Sequence, residues 1–260
     1  MRMMVLAGLL ALAACQDATV GGSGATAAQS APPQLAPIAL PQTDGAGNRL
    51  EALSQLGDGA VYCVGAEDWC VAATSETSVS VAQNAGAQIA LPARGVMWPN
   101  IIVSQGSAIV GVIETETQSY SGGGGSAEHL VLFKVADGGA TEIARLPYSG
   151  SIMIRACFSE ENTAARAEAC HDQYEFVSRV RLDDTVTSGA PQIVLETAAA
   201  TYPGRVTRQG DSLERPALTP ADLIWATDEM CSFRRTYHAT ASGPYLPDTE
   251  LPACTDYLEP

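Results

Sequence analysis

Apolar and polar residues alternate with period two over much of this chain, and helical periodicity is confined to short stretches. The cleanest alternation covers residues 174–182. There Tyr174, Phe176, Val180 and Leu182 share one face, and Glu175, Arg179 and Arg181 share the other. Residues 108–117 predict a long strand, with Val110, Val112, Glu114 and Glu116 on one side and Ile109, Ile113 and Thr115 on the other. Apolar runs at 60–64 and 70–73 flank Gly65-Ala66-Glu67-Asp68 and predict a hairpin with Cys63 facing Cys70. Further strands are predicted at 79–82, 88–91, 101–104, 129–135, 141–146, 152–157, 192–197, 205–209 and 230–239. The punctuation between them includes a turn at 147–150 and a mobile glycine-rich tip at Gly122 to Gly125.

Helical signals are few. Asn48 can cap a helix that ends at Gly57, with Leu50, Leu53 and Leu56 as its apolar side. Residues 159–169 predict a short exposed helix capped by Ser159 or Asn162. Thr219-Pro220-Ala221-Asp222 reads as a helix start. Hairpin-like links between the strands predict a mainly β chain. The expected architecture is an antiparallel β-sandwich or meander-built body with short helical excursions, or alternatively a small β-propeller.

The N-terminus has a different pattern. Arg2 precedes an apolar run that ends in Leu12-Ala13-Ala14-Cys15, the layout of an export signal. The run is too short to cross a bilayer, which takes ~20 residues. Leu12 to Cys15 resembles the lipobox of bacterial lipoproteins. That resemblance implies cleavage before Cys15, lipidation of Cys15, and attachment to membrane lipid through it. One acyl chain holds only marginally and more than one anchors stably. Gln16 rather than Asp follows the cysteine, and by the same resemblance this favours the outer membrane, facing the periplasm. The expected division is a signal peptide at 1–14, the lipidated Cys15 with a disordered linker at 15–47, and one disulfide-stapled β-rich domain at 48–260. The linker expectation rests on Gly, Ala, Ser, Thr, Gln and Pro content without an aromatic residue. Leu35, Ile38 and Leu40 offer the alternative of an arm docked along the body.

Charge narrows the partners. The chain has 260 residues, 46% hydrophobic, and a formal net charge of −15. Loss of Arg2 from the 14 Lys and Arg, against 29 Asp and Glu, takes this to −16. Such a body repels nucleic acid and anionic surfaces unless a local basic patch exists. Arg179, Arg181, Arg205, Arg208, Arg215, Arg234 and Arg235 gather late in the chain, and interspersed acids suggest solvated strand faces. Setting Cys15 aside, six of the seven cysteines remain, an even number suited to an oxidising compartment. Sequential pairing is expected: Cys63–Cys70, Cys157–Cys170 and Cys231–Cys254.

Motifs for catalysis are sparse. The chain has no G-x-S-x-G elbow, no Ser three residues before Lys134, and no H-E-x-x-H around His129, His171 or His238. No C-x-x-C spacing supports zinc, and neither a metal nor a cofactor is expected. Glu114 and Glu116 lie ~7 Å apart on one strand face, within the range of glycosidase carboxylates, but would both point to solvent. Trp69, Trp98 and Trp225 are candidate ligand contacts, with Trp69 at a hairpin tip the expected exposed one. These features favour a non-catalytic binding or envelope-assembly module with an envelope protein as partner. The alternatives are an inhibitor of a basic wall-degrading enzyme such as lysozyme, and an enzyme whose site is assembled from distant residues.

Overall fold

The computed structural model describes residues 31–260 except 66, 67, 76, 77, 85 and 242. The Leu12–Cys15 motif and the linker up to residue 30 therefore lie outside the described residues, as do Ala66 and Glu67 of the hairpin tip. Among the described residues the period-two pattern becomes sixteen strands. They are β1 (Gln42–Thr43), β2 (Arg49–Ala52), β3 (Ser54–Gln55), β4 (Val61–Val64), β5 (Trp69–Ser75), β6 (Ser78–Gln83), β7 (Ile89–Ala90) and β8 (Val96–Ser104), then β9 (Ser107–Tyr120), β10 (Gly123–Ala136), β11 (Gly139–Arg155), β12 (His171–Leu182), β13 (Ile193–Tyr202), β14 (Ala226–Thr227), β15 (Arg234–Ala239) and β16 (Tyr245–Pro247). Two short α-helices lie among the described residues: α1 (Glu160–Ala165) and α2 (Thr255–Leu258).

The strands form two antiparallel sheets, neither closed into a barrel. The larger has the order β1-β2-β8-β9-β10-β11-β12-β13-β15-β16, with β14 added to β13. From β8 to β13 each strand pairs with its neighbour in sequence, so the centre is a meander. The smaller sheet, β3 to β7, is the segment between β2 and β8, and it folds back over one face of the larger one. There are two sheets where a propeller would need separate blades.

Burial on both faces explains the apolar run in β10. Val131, Phe133 and Val135 meet Val64, Trp69, Val71, Val79 and Val81 of the small sheet. Leu130 and Leu132 point the other way, to Trp98, Leu146, Val180, Leu182, Ile193 and Leu195. A strand buried on both sides loses alternation and becomes continuously apolar. Each such side chain contributes ~1.5–3 kcal/mol when fully buried. A third cluster, with Ile152, Tyr174, Phe176, Cys231, Cys254 and Tyr257, closes one end of the large sheet.

Five expectations need correction. The helix over 48–57 is absent; β2 and β3 occupy it. Its leucines separate: Leu50 is fully buried in the first cluster, Leu53 packs on the second, and Leu56 is exposed. Asn48 does not cap. Its Nδ2 donates to Asp44 Oδ2 (2.8 Å) and its Oδ1 accepts from Ser104 (2.6 Å).

The described part of the expected linker, residues 31–47, follows the docked-arm alternative. Ile38 and Leu40 pack on the first cluster, β1 pairs with β2, and Gln42 Oε1 accepts from Leu182 N at 3.0 Å.

Residues 147–150 are not a turn, and β11 runs straight through them. Pro147 pairs with His129 and Ser149 with Glu128, so Tyr148 bulges out. A bulge tolerates the missing proline N–H.

The glycines after Gly122 belong to β10 and not to a mobile tip. At Gly123, with φ +155°, a Cβ would lie 2.0 Å from Met153 O, so only glycine permits this approach of strands.

Finally, residues 205–209 are not a strand, and the strand expected over 230–239 is confined to β15.

Candidate ligand-binding end

The third cluster supports the part of the molecule built from loops. After β13, Pro203 and Gly204 take the chain off the sheet. It returns at β14, which pairs Thr201 with Ala226. Short polar devices hold this excursion. Asp211 accepts from Leu213 N (2.8 Å), and Asp222 accepts from Thr219 N and Oγ1 (both 2.7 Å), forming the capping box at the predicted Thr219-Pro220 helix start. That helix is a single 3₁₀ turn, Pro220–Asp222. The Ser159 cap is found as expected, on α1.

Two disulfides fasten this end: Cys157–Cys170 at the base of α1, and Cys231–Cys254 between the loop before β15 and the C-terminal tail. The third, Cys63–Cys70, joins β4 and β5 in register. All three are the sequential pairs.

Beside Cys231–Cys254 lies a concavity of about 540 Å³. Arg205, Asp228, Glu229, Asp256 and Tyr257 supply its polar groups. Asp228 and Tyr257 are bonded to each other, and Asp228 and Asp256 also hold the surrounding loops. Asp228 Oδ1 accepts from the backbone of Met230 (3.0 Å) and Cys231 (3.2 Å), and its Oδ2 accepts from the Tyr257 hydroxyl (3.0 Å). Asp256 accepts from Thr207 Oγ1 (2.8 Å), Arg208 N (3.1 Å) and Gln209 Nε2 (3.2 Å). Burial and the Asp228 charge push the Tyr257 hydroxyl far above the usual tyrosine range, so it remains a neutral donor.

Two smaller clefts of about 290 and 220 Å³ flank the loop at Ser212 and Leu213. Under the first, Arg166 forms a buried ion pair with Asp172 and donates from Nε to Ala169 O (2.9 Å). The second is walled by Ile154, Arg155, Phe158, Tyr174, Arg208 and Leu213. Burial, then the Asp172 and Asp256 charges, raise the Tyr174 hydroxyl, while Arg215 and Arg208 oppose them.

The candidate contacts named from sequence are not gathered here. Trp69 is buried (4% exposed) in the seam between the sheets, which corrects the expectation that it is exposed. Its neighbour Cys70 is tied to Cys63, and the hairpin turns its ring inward. Trp98 is core (2% exposed). Only Trp225 lies at the loop-built end, half-buried and tilted against Tyr202 with ring centroids 5.6 Å apart. Cys15 lies outside the described residues.

His129, His171 and His238 sit on three different strands, β10, β12 and β15. Glu114 pairs with Arg145 at 2.6 Å, and Glu116 is exposed. Among the described residues no cluster of three His, Cys, Asp or Glu has metal-binding geometry.

The arginines divide in a way that alternation alone does not reveal. Arg179 and Arg181 clamp Glu196 on the strand face (2.6 and 2.9 Å). Arg205, Arg208 and Arg215 are on loops, which corrects their reading as strand-face residues. No protein-family model matches the chain, and neither a curated protein nor a solved structure matches it.

Proposed function

We propose that this chain is a lipid-anchored binding module of the bacterial envelope. It is held through Cys15, by the lipobox resemblance on the outer membrane, and presents its loop-built end to an envelope partner. The observation that carries this reading is the 540 Å³ concavity whose walls are fixed by Cys231–Cys254 and by the Asp228 and Asp256 hydrogen bonds. A wall fixed in advance loses little conformational entropy on binding, so more of the contact energy appears as affinity. Three disulfides suit an oxidising compartment, which agrees with export.

The test is crosslinking in cells of the tagged full chain, followed by mass spectrometry of the envelope fraction. A reproducible partner crosslinked to residues 203–231 supports the module. If that partner is a basic wall-degrading enzyme that the purified chain slows, the module is an inhibitor, for which the −15 charge is suited. Crosslinks confined to the strand body would overturn the assignment of the binding end. Palmitate labelling that persists in Cys15→Ser would overturn the anchor.

A further inference from the structure

A chain of net charge −15 repels anions as a whole, so a local cluster of cations without carboxylate partners stands out. Among the described residues five arginines form ion pairs with carboxylates: Arg49, Arg145, Arg166, Arg179 and Arg181. At the loop-built end, Arg155, Arg205, Arg208 and Arg215 form none among the described residues. Three of these instead donate to backbone carbonyls: Arg155 Nε to Cys157 O (2.7 Å), Arg208 Nη1 to Glu259 O, and Arg215 Nη1 to Arg205 O (2.6 Å). These bonds hold each guanidinium in place without cancelling its charge.

Arg155 and Arg208 face the 220 Å³ cleft, and Arg208 and Arg215 both act electrostatically on Tyr174 in its wall. The carboxylates at the cleft are Asp172, ion-paired with Arg166, and Asp211, which accepts from Leu213 N; behind Tyr174 stands Asp256, which accepts from Thr207 Oγ1, Arg208 N and Gln209 Nε2. Both terminal nitrogens of Arg155 and Nη2 of Arg208 make no hydrogen bond among the described residues, so each offers donors. Beside these donors the cleft is apolar. Phe158 is 61% exposed with the Arg155 guanidinium 5.1 Å from its ring centre, and Leu213 is also exposed. The volume is below the ~300–1,000 Å³ of sites that enclose a whole drug-sized ligand, so it suits a head group with the rest of the ligand outside.

We propose that the cleft formed by Arg155, Arg208 and Tyr174 binds a phosphomonoester, with the head between the two guanidiniums and the organic body against Phe158 and Leu213. A phosphomonoester carries a charge of about −1.5 to −2 at neutral pH and three strong acceptor oxygens, enough for more than one guanidinium. A single carboxylate is satisfied by one arginine fork. The proposal rests on the reading of this end as the recognition surface and adds the ligand chemistry. Two sources share that chemistry: a soluble sugar phosphate and a lipid phosphate head group.

The experiment is calorimetric titration of the intact, detergent-solubilised chain with glucose 1-phosphate, dihexanoyl phosphatidic acid, and malonate as the carboxylate comparison. Saturable binding of a phosphate ester is expected, weakening as salt is added. Arg155→Gln and Leu213→Asp should each weaken it about tenfold or more, and the remote Arg234→Gln should leave it unchanged. Leu213→Asp places a carboxylate at the cleft without removing a side-chain hydrogen bond, and unchanged thermal unfolding separates lost binding from lost fold. Tighter binding of glucose 1-phosphate assigns a soluble ligand; tighter binding of the phosphatidic acid assigns a lipid head group. The proposal falls if no ester binds at about 10 mM, if malonate binds equally well, or if both cleft variants bind as the parent does. A protein crosslinked to residues 203–231 in a chain that binds no ester would sink this proposal and leave the binding module standing.

Discussion

In the strand body, β8 to β13 bury side chains on both faces, and Arg145, Arg179 and Arg181 pair with Glu114 and Glu196 across strands. At the loop-built end, residues 156–170, 203–233 and 248–260 have less regular pairing. Covalent and polar fasteners take over there: two disulfides, the buried Arg166–Asp172 pair, and aspartates spent on backbone N–H groups. The body is stabilised by area removed from water, spread over many buried side chains. The end depends on a few specific links. Breaking one side of a buried ion pair costs ~3–5 kcal/mol, because the remaining charge stays buried and unpaired. This difference also sets which arginines are available. Arg145, Arg179 and Arg181 meet a carboxylate across strands, whereas Arg155, Arg208 and Arg215 meet carbonyls.

The largest expected effect is in the body. Phe133→Ala opens the seam between the sheets, where the ring is fully buried, and should cost ~3–5 kcal/mol. Urea unfolding followed by tryptophan fluorescence measures it. A loss under ~1 kcal/mol would mean that the small sheet is not a structural partner of the large one.

Next comes the end. Replacing Cys231 and Cys254 together by Ser frees a link of sequence separation 23, worth ~3 kcal/mol by loop closure. Hydrogen exchange should rise across residues 203–231 and 253–259 and stay low in β9 to β11. Uniform exchange throughout would erase the distinction between the two regions.

Gly150→Ala tests the seam between them. An added Cβ would lie 2.1 Å from Tyr257 O, so α2 must move, at ~1–3 kcal/mol. Faster exchange at Leu258 with β13 unchanged is the expected signature.

The smallest effect is electrostatic and belongs to the body. Burial alone would raise Glu196, but the hydrogen bonds and charges of Arg181 and Arg179 outweigh it and hold its carboxyl below the usual range. A depressed folded value gives stability that is present above the unfolded value of ~4.3 and is lost as pH falls through the folded one. Glu196→Gln should therefore flatten the acid side of the stability–pH curve and matter little below that window. An identical acid limb in the variant would mean that the two arginines do not hold the charge.

Much of the body was legible in the residues because its signals are local. Period-two alternation around Tyr174 and Phe176 and even cysteines at short separations each depend on near neighbours, and both match the structure. The misreadings share a cause. Leu50, Leu53 and Leu56 have helical spacing, yet each is buried or exposed according to a different sheet. Pro147 reads as a turn until the bulge opposite His129 and Glu128 accommodates it. The glycines after Gly122 read as mobility, whereas their reason is the distance to β11. No periodic signal joins Arg155, Arg208 and Tyr174, which come from β11, an irregular loop and β12.

By itself the sequence determined a β-rich chain, the disulfide-ready cysteines and the excess of acid, since alternation, cysteine parity and charge are properties of neighbours and sums. Only the tertiary structure decided that Trp69 faces inward, that the small sheet covers the large one, and that one group of arginines lacks carboxylates. Those outcomes depend on which distant segments meet, and burial and electrostatics act between neighbours in space.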